Sequence, residues 1–77
     1  MSAFAYIEAS DVDRQLQDTA ARRTEGSDRL VAFVGCPFTG IEQDDGEIQF
    51  PFPRSPDLRE TLIAWLCHWG FSFRVEQ

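Results

Sequence analysis

Hydrophobic positions along the chain change period several times, and each change marks an element. Ala3 to Ala9 is aromatic and apolar with only Glu8 charged, which predicts a strand. If Ile7 points inward with Ala5 and Ala9, then Phe4 and Tyr6 point to the other face. Ser10 is a suitable N-cap, and Asp11 and Asp13 suit the positive end of a helix. That helix is expected to run to Arg23, with Arg22 and Arg23 at its negative end. Its apolar stripe, Val12, Leu16, Thr19 and Ala20, is thin, so it is expected to pack on one narrow face.

Thr24 to Asp28 holds Gly26 and Ser27, a turn signal. Arg29 to Gly35 follows as a strand whose unbroken run, Leu30 to Val34, predicts burial on both faces. Cys36-Pro37 ends it. Phe38 to Gly46 reads as a loop, with Gly40 inside it and the Asp44-Asp45-Gly46 turn at its end. Glu47 to Phe52 alternates, with Ile48, Phe50 and Phe52 on one side. Pro51 lacks an N–H, so this strand is expected at an edge, or to end there.

Ser55-Pro56-Asp57 is the clearest local signal: a cap, a proline at the first helical position and a carboxylate against the dipole. The helix is expected to reach Trp69 and to stop at Gly70. Leu58, Leu62, Trp65, Leu66 and Trp69 share a face, with Ile63 at the margin. Phe71 to Glu76 then alternates, with Phe71, Phe73 and Val75 inward and Ser72, Arg74 and Glu76 outward.

The predicted order is β-α-β-β-α-β over residues 1–77, a single small acidic α+β domain. It matches the ferredoxin-like arrangement: a four-stranded, mainly antiparallel sheet with two helices on one face. In that fold the second strand is an edge and the third is central. Here the second is the more apolar and the third carries Pro51, so a related strand order stays open.

Composition narrows the function classes. The chain is 43% hydrophobic with seven Phe and two Trp, too apolar for a disordered segment. Thirteen carboxylates against seven cations leave a charge of −6. This opposes direct binding to nucleic acid or to an anionic membrane surface, and suits a basic protein partner. Every cation is Arg, and Lys and Asn are absent, a codon bias that points to a GC-rich bacterium or its viruses. Without Lys, Schiff-base and P-loop chemistry are excluded. Two Cys are too few for a disulfide scaffold. No signal peptide or apolar run of spanning length is read, so a cytoplasmic protein is expected.

Four places could carry chemistry. Glu42, Asp44, Asp45 and Glu47 could meet Arg or Lys of a partner, hold a divalent cation, or be a solvated hairpin loop. They do not follow the calcium-loop pattern. Cys36, after a strand, could be a nucleophile only with His68, the single His, as base; an inert thiol is the plainer reading. Two Cys and one His fall short of a four-ligand structural zinc site unless a carboxylate joins them, and no metal or other cofactor is expected. Phe4 and Tyr6, with Ser72 and Arg74, could form an exposed sheet face. The third strand lacks the basic residue that RNA-recognition sheets carry, so a loop or a second copy of the chain, and not bases, is the expected cover. Trp65 and Trp69 lie at i, i+4 and read as core, with Trp69 a candidate anchor.

An enzyme needs a convergent titratable pocket, for which one His and no Lys are poor material. The expectation is a non-enzymatic, stoichiometric binder that inhibits or regulates a basic, nucleic-acid-handling partner. Small acidic anti-CRISPR proteins and polymerase inhibitors act this way, an analogy of size, charge and inferred genome. Glu42, Asp44, Asp45, Glu47, Asp11, Asp13, Asp18, Tyr6 and Trp69 are the expected contacts. A self-associating regulatory domain, dimeric through its open sheet face, is the alternative, and a Cys36 enzyme the remote one.

Overall fold

The computed structural model describes residues 2–77. They form β1 (Ala3–Glu8), a 3-10 turn (Ala9–Asp11), α1 (Arg14–Thr19), β2 (Ala21–Glu25), β3 (Asp28–Ala32), β4 (Gly40–Glu42), β5 (Glu47–Phe52), α2 (Pro56–His68) and β6 (Arg74–Glu76). The sheet has six strands in the order β2-β3-β4-β5-β1-β6, and every pairing is antiparallel. The four-stranded ferredoxin-like expectation is therefore wrong: two strands were read as helix and loop.

The first error lies between Asp11 and Arg23. The helix there is only α1, capped by Asp13, and it ends where Ala20 turns extended at ψ 140°. Beyond Leu16 it has no apolar residue to bury, so nothing holds a further turn. Arg22 and Arg23, expected at a helix end, lie in β2. The Gly26-Ser27 turn joins β2 to β3 as a two-residue hairpin, with Glu25 opposite Asp28 and Gly26 at φ +59°.

The second error is β4, inside the expected loop. Gly40 makes it possible. A Cβ there would sit 2.6 Å from Ile48 Cγ2 and 3.0 Å from the Phe50 ring, so only glycine lets this backbone lie between β3 and β5. β5 is consequently internal. Pro51 is tolerated because β4 pairs only as far as Ile41 opposite Gln49 and Glu42 opposite Ile48, short of the proline.

β3 is also shorter than expected and buried on one face only. Val31 is fully buried, while Ala32 is exposed and Val34, beyond the strand, is 62% exposed. The last strand is trimmed to Arg74–Glu76: Phe71 is buried in the core before it begins, and Val75 is 41% exposed.

α2 matches its signals. Pro56 opens it, although Ser55 caps through its backbone carbonyl, which accepts from Arg59 N–H at 3.0 Å, and not through its hydroxyl. At the other end Gly70 takes φ +73°. Gly70 N–H donates to the Cys67 carbonyl at 3.1 Å and Phe71 N–H to that of Leu66 at 3.0 Å, the Schellman pattern. Leu62, Trp65 and Leu66 are buried, Trp69 is half-buried, and Leu58, expected on the same stripe, is 46% exposed.

One cluster holds the core: Ala5 and Ile7 of β1, Val31, Ile48, Phe50, Val12, Leu16, and Leu62, Trp65 and Leu66 of α2. Trp65 is its centre. Phe33, Phe50 and Phe71 lie with ring centroids 5.8, 6.2 and 5.6 Å from it. Its indole N–H donates to the Val34 carbonyl at 3.2 Å. Both helices and the apolar loop residues Phe33, Cys36 and Phe38 join this cluster. The opposite face, with Phe4, Tyr6, Leu30, Ile41 and Gln49, thus has no layer over it among the described residues. No helix is long and apolar enough to cross a membrane among those residues.

Candidate functional site at the acidic end of the sheet

Strand direction gathers charge at one end of the sheet. β1, β2 and β4 finish there, and β3 and β5 start there. That end collects Glu8, Asp11, Glu25, Asp28, Glu42, Asp44, Asp45 and Glu47. The β4–β5 hairpin is its centre. Gln43 N–H donates to the Glu47 carbonyl at 2.7 Å, and Gly46 N–H to the Gln43 carbonyl at 3.2 Å, with Gly46 at φ +89°. This is the three-residue loop whose glycine forms a bulge. The Asp45 carboxylate accepts from Glu47 N–H at 3.0 Å and braces the turn.

A further hydrogen bond fixes the hairpin to the end of β1: Ala9 N–H donates to the Gly46 carbonyl at 2.9 Å. Asp11 thereby sits on a turn anchored to the Asp44-Asp45 loop. Asp13 and Asp18 lie further on, exposed on α1, which packs through Leu16. The Asp13 carboxylate is occupied as a cap, accepting from Gln15 N–H at 2.8 Å.

The predicted carboxylates are not equally available. Glu42 pairs with Arg22 at 3.1 Å and is only 29% exposed. Asp44 pairs loosely with Arg29 at 3.3 Å, its side chain fully in solvent. Glu47 is buried, and Arg74 donates to both its carboxylate oxygens, one of them at 2.8 Å. The bonds from Arg74 hold the Glu47 carboxyl below the ordinary carboxylate range, against the opposing effect of burial. Glu47 is thus a structural anion.

Tyr6 is held in the same network. Its hydroxyl accepts from Gln49 Nε2 at 2.9 Å, and the Arg74 guanidinium lies 4.7 Å over its ring. Tyr6 and Arg74 share the open face, as the alternation of their strands implies. Trp69 belongs to the helix layer, packed against the core and edge-on to His68 at 5.6 Å. Sequence reasoning missed Glu8, Glu25 and Asp28 as members of this end. The signal for the last two was the two-residue Gly26-Ser27 turn, which places both flanking acids at a strand end.

Set against known protein families, characterised proteins and solved structures, the chain matches none.

Other chemistry finds little to build on. Among the described residues no three Cys, His, Asp or Glu side chains converge as metal ligands. Burial pushes the Cys36 thiol up, only partly offset by a hydrogen bond from the Phe38 backbone, the reverse of an activated nucleophile. A groove of about 550 Å³ at the far end, lined by Phe4, Pro51, Phe52, Arg54 and Arg59 among others, holds no Cys, His or acidic side chain among the described residues.

Proposed function

We propose that this chain is a protein-binding module whose acidic sheet end meets cationic side chains of a partner, inhibiting or regulating it one-to-one. The hydrogen bond from Ala9 to Gly46 carries the reading. It joins two short turns so that Asp11, Asp44 and Asp45 form one preorganised anionic surface on a rigid hairpin. Preorganised charge gives fast, selective encounter with a basic surface. Glu8 and Asp28 extend the surface, and Glu42 and Glu47 support it from within. The overall charge of −6 adds long-range steering. A nucleic-acid-handling protein, basic by necessity, is the class of partner this surface suits.

Affinity capture from a native-host lysate tests it, comparing the wild-type chain with an Asp11→Arg/Asp44→Arg variant. Both positions are exposed and outside the core. The reading expects a basic protein retained by the wild type and lost by the variant, with matching circular dichroism. Equal retention removes this end of the sheet from the interface.

A further inference from the structure

β2 ends the sheet, and all five of its residues are exposed. Among the described residues nothing pairs with its outer edge, one strand's worth of backbone. The two-residue turn makes Glu25 and Asp28 a hydrogen-bonded pair, so ladder alternation turns the N–H and C=O groups of Arg22 and Thr24 outward. Edges of this kind are commonly blunted by charged side chains, Lys above all. Here the outer residues alternate in sign: Arg23 and Glu25 lie on one face, 2.9 Å apart as an ion pair within the strand.

The bulk charge also relents at this place. Residues 21–32 carry three Arg and two carboxylates, one net positive charge, so the remaining 65 residues carry −7. Two copies approaching elsewhere meet strong like charge; at β2 each brings a net charge of only +1.

We propose that the chain pairs with a second copy of itself through the β2 edges, antiparallel about a two-fold axis at Thr24. In that register Thr24 exchanges both backbone hydrogen bonds with its twin. Arg23 then stands opposite Glu25 of the second copy, and Glu25 opposite its Arg23. These are non-hydrogen-bonded positions, where side chains come closest. A register centred on Arg23 sets the two Arg23 side chains against each other, and one centred on Arg22 does the same for Arg22. Charge therefore selects Thr24. The product is one continuous twelve-stranded sheet, formed edge to edge and distinct from a dimer through the open face.

Charge exchange tests this without reliance on any partner. By sedimentation equilibrium the wild-type chain forms a dimer as its concentration rises from micromolar to millimolar. Arg23→Glu and Glu25→Arg each place like charges opposite one another and weaken the dimer at least about tenfold. Mixed in equal amounts, the two variants form a heterodimer, because each Glu now faces an Arg, and native mass spectrometry resolves it from either homodimer. Both positions are exposed, and circular dichroism checks that each variant is folded. A wild type that stays monomeric throughout overturns the proposal. So does a mixture that stays monomeric, and so do single variants that dimerise as tightly as the wild type, which would place the contact on another surface.

Discussion

The guanidinium of Arg74, on the edge strand β6, crosses the Tyr6 ring of β1 and grips both carboxylate oxygens of Glu47 on β5. One side chain thus fastens a three-residue strand to a neighbour it does not touch in the ladder. It also neutralises a buried carboxylate that would otherwise lie unpaired. Arg74→Ala is expected to lower the melting temperature and to release β6 first. Amide exchange at Arg74 and Glu76 and at Phe4 and Tyr6 reads the release directly. Unaltered protection of these amides would deny Arg74 this role.

Glu47 also sets a pH dependence. Its folded pKa is depressed from the ordinary value of 4.5, chiefly by the Arg74 hydrogen bonds. A depressed carboxylate contributes stability that is present above its unfolded pKa and lost as pH falls through the folded one. Wild-type stability is expected to decline below about pH 4.5. Glu47→Gln is expected to start lower at neutral pH and to fall less steeply in acid. Parallel denaturation profiles for the two proteins would contradict the assignment.

Gly40 is a steric requirement and not a conformational one, since its φ is not positive. Gly40→Ala drives a methyl into Ile48 and Phe50, and overpacking of this kind costs about 1–3 kcal/mol. Urea denaturation of the variant measures it. A neutral result would mean that β4 does not lie as closely between β3 and β5 as described.

Two leucines of one helix separate core from surface. Leu62 is fully buried and Leu58 is 46% exposed. Leu62→Ala is expected to cost about 2–5 kcal/mol, and Leu58→Ala to stay within about 0.5 kcal/mol. Equal losses would show that α2 is rotated about its axis.

What could be read in advance was what local chemistry dictates. Ser55-Pro56-Asp57 and Gly70 bracket α2 because caps act within one turn. β1 and β5 alternate because each buries one face. β2 was illegible for the converse reason. Ala-Arg-Arg-Thr-Glu has no apolar alternation, and it becomes a strand only by pairing with β3 across a turn that favours the hairpin. β4 is three residues long, and its strand state depends on Gly40 passing over Ile48 and Phe50, a contact between distant parts of the chain. The site divides the same way. The Asp44-Asp45-Gly46 turn was visible as a turn, but the binding of Glu47 by Arg74 spans 27 residues and leaves no local trace.

Hydrogen exchange of the chain alone and bound to the protein it captures tests the functional reading most directly. Slowed exchange is expected at Glu8–Asp11 and Gln43–Glu47, the two turns joined by the Ala9–Gly46 bond. Protection confined to α2, or to the far end around Phe52 and Arg59, with both turns unchanged, would contradict it.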